Sequence, residues 1–250
     1  MGKYYVLVIL AVFFVIFLIL ILKKNKSISE FEKDKMSIYT DKWIGKRKIQ
    51  EDSTELIKFS KYEVLGLIAD GMGGYHDGKL AGQFAVDRFV DLYLSSDFKI
   101  EDMIKKINQE ILSYSENIGI ENKIGTTFLA GEILYNRLNF FSVGDSSIFL
   151  FKKNKLERLN IHQEKRGYLT NYLGYRDFTT VEAGEMFLEK RDIVLMCSDG
   201  LDKFLTTEEI ESIMRRYKNK SSKKITEILL EALKEKKSRK QDNVSIIVIK

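Results

Sequence analysis

The 250-residue chain is predicted to adopt an α+β fold, in which stacked sheets carry helices on both outer faces. Runs of strand length recur along the chain, and several alternate in polarity or are rich in β-branched and aromatic residues. Two pairs of helical patterns separate these strands. Because strands and helices do not alternate strictly, the order does not favour a doubly wound parallel sheet.

Six strands are predicted from these runs, at residues 62–69, 126–133, 137–143, 148–152, 193–197 and 244–249. Residues 134–137, where the second strand ends and the third begins, are predicted to form the turn of a hairpin.

Each helix pair has its own signal. In the first pair, residues 79–94 follow a glycine-rich turn, and the next helix carries an apolar stripe with a period of about 3.6 residues. In the second pair, residues 207–217 and 221–236 are helical, and Thr206 with Glu209 is typical of a capped helix start. The apolar stripe consists of Ile100, Met103, Ile104, Ile107, Ile111, Tyr114 and Ile118.

The N-terminal segment predicts a single-pass membrane anchor. From Tyr4 to Leu22 every residue is apolar, and a helix of that length spans about 28 Å, close to the thickness of a bilayer core. Lysines follow at once, without the small residues of a signal-peptide cleavage site. We therefore predict an anchor with a basic flank at residues 1–26, a juxtamembrane linker at 27–40 and one folded domain at 41–250.

The charge distribution and the cysteine content indicate in which compartment the folded domain lies and which classes of partner it binds. Lys23, Lys24 and Lys26 follow the anchor, whereas Lys3 and the amino terminus precede it. By this margin of about one charge, the positive-inside rule places the domain in the cytoplasm. The chain has a net charge of +5, and most of the excess lies before residue 41, which gives no reason to expect a nucleic-acid partner. Cys197 is the only cysteine, so no intrachain disulfide can form.

Acidic residues stand at strand boundaries in distant parts of the chain. Taken singly, each of these acids is consistent with an ordinary polar residue in a turn. Together they predict carboxylates gathered at one rim of the sheets, where mutual repulsion calls for a hard divalent cation. The pattern therefore predicts metal-assisted chemistry on an anionic substrate. The acids are Glu51, Asp52, Asp70, Asp145, Asp199 and Asp242.

Two neighbouring features extend this interpretation. Asp70 is followed by Gly71, and a carboxylate with an adjacent free carbonyl offers two oxygen ligands to a hard cation. Arg47 precedes Glu51 by four residues, and its guanidinium fork suits a phosphate. On local sequence alone, Arg47 also fits an ordinary surface charge between Lys46 and Lys48.

These motifs, in this order, resemble the bacterial form of the PP2C (PPM) family of metal-dependent protein phosphatases. The resemblance covers residues 44–250. It rests on Arg47 with Glu51-Asp52, on residues 69–74, on Gly125-Thr126-Thr127 with Gly144-Asp145-Ser146, on residues 197–200, and on Asp242-Asn243.

The resemblance implies a four-layer αββα sandwich of two antiparallel sheets flanked by helix pairs. It implies hydrolysis of phosphoserine and phosphothreonine in proteins by metal-activated water at a binuclear Mn²⁺ or Mg²⁺ centre.

 

By position, Asp70 is implied to bridge two metal ions, and the Gly71 carbonyl, Asp199 and Asp242 are implied to complete their ligand shells. Glu51 and Asp52 are implied to bind directly or through metal-bound water. Arg47 is implied to hold the substrate phosphate, so that Arg47 and Asp70 are the implied catalytic residues. Asp145 with Asp199 is implied to hold a third, weaker metal ion. The implied partners are phosphorylated proteins, the substrates of a serine/threonine kinase.

Departures from the family pattern keep two alternatives open. Tyr75 stands where relatives often have histidine, His76 follows it, and Ser147 replaces an arginine. The flap segment between Leu159 and Gly174 is also short. The alternatives are a non-catalytic member of the fold that binds phosphoproteins as a scaffold, and a hydrolase of small phosphate esters.

Overall fold

The computed structural model describes residues 14–17, 36–72, 76–120 and 124–250. Its strands are β1 Ile38–Trp43, β2 Asp52–Lys58, β3 Glu63–Met72, β4 Gly125–Thr126, β5 Phe128–Leu134, β6 Arg137–Val143, β7 Ser147–Lys152, β8 Lys155–Arg158, β9 Glu164–Lys165, β10 Tyr168–Leu169, β11 Glu182–Phe187, β12 Ile193–Cys197 and β13 Val244–Ile249. The helices of the folded domain are α1 His76–Ser95, α2 Ile100–Asn117, α3 Asp199–Asp202, α4 Thr207–Tyr217 and α5 Ser222–Glu235.

The strands form two antiparallel sheets and a small hairpin. The first sheet has the order β1-β13-β12-β7-β8, and the second has the order β11-β6-β5-β3-β2, with β4 also paired to β3. The hairpin consists of β9 and β10. All these pairings are antiparallel, as the family resemblance implied.

Alternation along the strands sends apolar side chains to both faces of each sheet. In β12, Met196 packs between the sheets with Ile68 and Ile247. Its neighbour Leu195 packs on the opposite face, against helices α4 and α5. Phe89 of α1 is fully buried against the second sheet. Each large apolar side chain buried in this way contributes about 1.5–3 kcal/mol. The fold is therefore the expected αββα sandwich.

The helices largely match the sequence prediction. Thr206 and Glu209 form a reciprocal capping box at the start of α4, as expected. The stripe of α2 is buried at Met103, Ile104, Ile107 and Ile111, with Ile100 packed beside them. At the end of the stripe, Tyr114 and Ile118 are about half exposed.

The predicted boundary between linker and domain, after Thr40, falls inside β1. This strand pairs with β13 over its whole length, and Met36 is already buried. Residues 36–40 are thus part of the folded domain rather than of a linker. Their mixed polarity misled the prediction because β1 is an edge strand with one partner.

The predicted anchor, residues 4–22, lies outside the described residues except for 14–17, which are helical. Across the ranges given above, no helix is both long enough and apolar enough to cross a membrane.

Candidate metal centre

The predicted acids meet where the ends of the two sheets approach each other. Asp52 begins β2 of the second sheet and stands opposite Asp70 of β3. Ser198 follows β12 of the first sheet, and its hydroxyl donates to Asp52 Oδ2 over 2.8 Å. This bond joins the two sheets at the rim that carries the acids.

Two threonines hold the main chain of Asp70. The Thr127 hydroxyl accepts from the Asp70 amide at 3.0 Å, and the Thr127 amide donates to the Asp70 carbonyl at 2.9 Å. The Thr126 hydroxyl donates to the same carbonyl at 2.9 Å. The motif Gly125-Thr126-Thr127 therefore fixes the position of Asp70 from the neighbouring strand.

Gly71 lies where two segments of backbone nearly touch. A methyl group built on Gly71 would collide with the carbonyl oxygen of Gly78, at the start of α1. It would also lie 2.9 Å from the carbonyl oxygen of Glu51. Only glycine permits this approach, which brings the end of β3, the start of α1 and the Glu51 loop together.

Several carboxylate oxygens at this rim are buried and have no hydrogen-bond partner within the described part of the chain. They are Glu51 Oε1, Asp52 Oδ1 and Asp199 Oδ1. An unpartnered buried carboxylate oxygen is unfavourable, and a hard cation is the ligand that such oxygens prefer. The donor set therefore fits the divalent cations that the family implies.

The electrostatics of the rim agree with this fit. Burial raises the pKa of Asp52 to about 7, and the nearby charges of Asp199 and Asp242 act in the same direction. Burial and the charge of Asp52 likewise raise the pKa of Asp70 well above its usual range. Without cations, these carboxyl groups retain protons at a pH where isolated ones would have lost them.

The acids do not form a complete cage by themselves. In the ranges described, no group of three acidic, histidine or cysteine side chains is arranged to hold one metal ion. A divalent cation held here would keep water molecules in its ligand shell, as is usual for Mg²⁺.

Arg47 lies at the edge of this cluster. Its guanidinium donates to Asp242 Oδ2 at 2.5 Å, and about half of its side chain is exposed. Glu51 and Asp70 are close enough to act on its charge. The structure thus brings Arg47 to the predicted acids, with part of its fork facing solvent.

Asn243 holds the loop that carries Arg47 and Glu51. Its Nδ2 donates to the carbonyls of Ile44 at 2.9 Å and Ile49 at 3.1 Å, and its Oδ1 accepts from the Glu51 amide at 2.8 Å. Sequence reasoning noted the Asp242-Asn243 pair without this role. Its partners lie almost 200 positions away, so no local pattern indicates them.

Sequence reasoning also missed Lys203. Its ammonium lies 3.0 Å from Asp145 Oδ2, 2.7 Å from Asp199 Oδ2 and 3.2 Å from Glu164 Oε2. The four-residue spacing from Asp199 along a helix is the one signal that predicts part of this arrangement. Burial raises the pKa of Asp145 to about 6, with the charge of Asp199 adding to the effect and Lys203 opposing it.

A polar network lies beside this lysine. Asp202 Oδ2 accepts from the Ser147 hydroxyl at 2.5 Å and from the Arg158 guanidinium at 2.7 Å. Arg158 of β8 thus supplies a guanidinium close to Ser147, the position at which the family resemblance implied arginine. The Ser147 hydroxyl also lies 2.7 Å from His162 Nε2. Asp202 approaches the same ring nitrogen, so the three groups are not ordered as a catalytic triad.

Two other residues singled out in the sequence, Cys197 and His76, are not among the predicted ligands. Cys197 is buried in the core, and burial raises the pKa of its thiol well above the usual range, so it is no nucleophile. His76 begins α1, and its side chain lies outside the described part of the structure.

Comparisons with known proteins agree with these observations. The family model for protein phosphatase 2C matches residues 42–240. A serine/threonine phosphatase, stp, of Listeria welshimeri is 25% identical over 202 residues, which are 69% of this chain and 80% of that protein. Protein phosphatase PhpP of Streptococcus pneumoniae is 25% identical over 182 residues, covering 59% of this chain and 71% of its own.

Solved structures share the fold. The S. agalactiae serine/threonine phosphatase has a TM-score of 0.77 at 20% identity and covers 86% of this chain and 98% of its own. The Mycobacterium tuberculosis serine/threonine phosphatase PstP/Ppp has a TM-score of 0.73 at 20% identity, covering 86% and 97%. The chain therefore belongs to the protein phosphatase 2C family, a family of serine/threonine protein phosphatases.

Proposed function

We propose that this enzyme hydrolyses phosphoserine and phosphothreonine in proteins with water activated at a centre of two Mn²⁺ or Mg²⁺ ions. The observation that carries the proposal is the group of buried carboxylate oxygens, on Glu51, Asp52 and Asp199, that have no hydrogen-bond partner in the described structure. The names of the curated relatives, which are serine/threonine phosphatases, support the substrate class.

The residues that would hold the two ions are those at the rim. When bound, such ions lower the pKa of water and neutralise charge on phosphoryl oxygens. Thr126 and Thr127 keep Asp70 in place through its main chain, and Ser198 orients Asp52. The proposed ligands are Asp70, the Gly71 carbonyl, Asp199, Asp242, Glu51 and Asp52.

Arg47 binds the substrate phosphate in this proposal. Asp242 accepts one hydrogen bond from its guanidinium and thereby orients it at the edge of the cluster. The remaining N–H groups of the guanidinium make no hydrogen bond to the described residues, so they can donate to phosphate oxygens in the planar geometry that suits them. Arg47 thus places the phosphoryl group next to the carboxylates.

The test measures Mn²⁺-dependent release of phosphate by the full-length chain. The substrates are a phosphothreonine peptide and p-nitrophenyl phosphate. We expect turnover of both, and loss of both in Asp70→Asn, which keeps the shape of the side chain but removes its charge. Asp102→Asn is the matched control, because Asp102 is exposed on α2 and pairs only with Lys105 among the described ion pairs.

Other outcomes would favour the alternatives. Tight binding of the phosphopeptide without turnover would favour a scaffold, and turnover of p-nitrophenyl phosphate alone would favour a small-ester hydrolase. Activity that is equal with Mn²⁺ and with excess chelator would contradict the metal-dependent mechanism.

We also propose that residues 4–22 anchor the enzyme in the cell membrane with the folded domain in the cytoplasm. The uninterrupted apolar run and the three lysines that follow it support this proposal. Its substrates would then be phosphoproteins that reach the inner membrane surface. The full-length chain should remain with membranes after a carbonate wash, and its release into the soluble fraction would contradict the anchor.

A further inference from the structure

The negative charges of the carboxylates at the rim are balanced in two different ways. Around Asp70, buried carboxylate oxygens have no partner in the described structure. Around Asp145, three carboxylates already share a cation that belongs to the chain, the ammonium of Lys203. Asp145 with Asp199 is the pair to which the family resemblance assigned a third, weaker metal ion.

Lys203 occupies the place where that ion would bind. Its ammonium contacts Oδ2 of both Asp145 and Asp199, the pair of carboxylates available for a third ion. A divalent cation close to both would stand within a few ångströms of the ammonium, and like charges at that distance repel strongly. The residues present therefore do not fit a third metal ion while Lys203 is in place.

The two carboxylate oxygens of Asp199 have different environments. Its Oδ2 accepts from Lys203 at 2.7 Å, whereas its Oδ1 is buried without a partner in the described residues. One oxygen thus remains for the proposed two-ion centre. The side chain that borders both regions is consistent with an ion on one side and an ammonium on the other.

The lysine also connects the rim to the short hairpin. Glu164 begins β9, and its Oε2 lies 3.2 Å from the Lys203 ammonium. Lys203 follows α3, whose first residue is Asp199, and helical spacing brings its side chain back over that carboxylate. A single cation therefore joins the β9–β10 hairpin, the β6–β7 loop and the start of α3.

We propose that the ammonium of Lys203 takes the place of a third divalent cation, so that this enzyme binds two metal ions per chain. The inference rests on the proposed two-ion centre. It adds that the ammonium of Lys203 occupies the third cation position. It predicts that removing the ammonium, rather than adding a ligand, creates a third metal site.

The experiment counts Mn²⁺ ions per full-length chain by equilibrium dialysis followed by elemental analysis. We expect two ions in the unmodified protein and in Asp145→Asn, and three in Lys203→Ala. The double variant Lys203→Ala with Asp145→Asn should return to two. Lys105→Ala is the matched control, because it removes an exposed lysine from an ion pair with Asp102.

Lys203→Gln is a second variant, for the case that Lys203→Ala does not fold. It keeps a polar side chain of similar length but removes the charge. It should also bind three ions. A count in Lys203→Gln equal to that of the unmodified protein would overturn the inference. So would three ions in the unmodified protein that fall to two in Asp145→Asn. If no variant and no unmodified protein binds Mn²⁺, the proposed two-ion centre itself fails.

Discussion

Two neighbouring groups of carboxylates at the same rim are stabilised by opposite means. The open cluster, Glu51, Asp52 and Asp70, contains buried oxygens without partners in the described structure and carboxyl groups with raised pKa values. The closed cluster, Asp145 and Glu164, is bound to Lys203. Acidic residues at a strand end therefore do not by themselves define a metal site. What compensates their charge decides whether an external cation is needed.

The largest expected difference between the clusters is in catalysis. Asp70→Asn should lower kcat by more than the roughly 10–100-fold that removal of an outer-shell partner typically costs. Asp145→Asn should lower it by less, because its carboxylate contacts an ammonium instead of the proposed ions. Phosphate release at saturating Mn²⁺ checks both variants. Equal losses of kcat in the two variants would contradict the proposed difference between the clusters.

A second comparison uses two buried asparagines that each make three hydrogen bonds. Asn243 holds the Glu51 loop of the open cluster. Asn160 bonds to the Ile148 amide, the Ser142 hydroxyl and the Ser146 carbonyl, beside the closed cluster. Both alanine variants should destabilise the fold by about 1–3 kcal/mol, since each leaves buried groups unpaired.

Only Asn243→Ala should also reduce activity strongly, by roughly 10–100-fold, because it releases a loop that carries proposed ligands. Thermal unfolding and phosphate release, measured on the same samples, separate the two effects. If Asn160→Ala lost as much activity as Asn243→Ala at equal stability, loop positioning would not explain the result.

A smaller effect is expected at the exposed edge of the open cluster. Arg47→Ala removes charge-assisted hydrogen bonds worth about 1.5 kcal/mol at the lower end of their range, or roughly tenfold in kcat/KM. The kcat/KM of Arg47→Lys should lie between those of the unmodified enzyme and Arg47→Ala, since lysine keeps the charge but lacks the planar guanidinium fork. Arg137→Ala is the control, because Arg137 is equally exposed and pairs with Glu185 on the surface. An unchanged kcat/KM in Arg47→Ala would contradict phosphate binding by this residue.

The sequence predicts the interior of the fold better than its edges. The six predicted strands correspond to β3, β4 with β5, β6, β7, β12 and β13, which are buried between neighbours. Within these two sheets it missed four strands, β1, β2, β8 and β11, and these are the outer strands. Edge strands carry polar and charged residues, so their hydrophobic alternation is weak.

The same reasoning explains which site residues were found. Asp70 lies near the end of the apolar strand β3, and Asp199 comes shortly after β12. A carboxylate in such a position is conspicuous in the sequence. Asn243, Lys203 and Arg158 act on partners from distant segments, so their contacts arise only when the sheets pack. Polar type and spacing indicate the acids, whereas the groups that compensate them depend on the tertiary structure.

The smallest predicted effect is a pH dependence of stability that metal ions should reduce. In the metal-free protein, burial raises the pKa of Asp52 to about 7 and that of Asp202 to about 6. The unfolded chain releases these protons nearer pH 4. The folded state therefore binds more protons, and its stability falls as pH rises from about 4 through 7.

The two carboxyl groups should respond differently to Mg²⁺. A cation at the open cluster substitutes for the proton on Asp52, so Mg²⁺ should raise the unfolding temperature more at pH 8 than at pH 5. Asp202 already accepts from Arg158 and Ser147, so its share of the pH dependence should persist in Mg²⁺. Each kcal/mol corresponds to about 2–4 °C in a domain of this size. Unfolding curves at both pH values, with Asp202→Asn as the comparison, check this, and a Mg²⁺ effect that is larger at pH 5 would contradict a cation site in the open cluster.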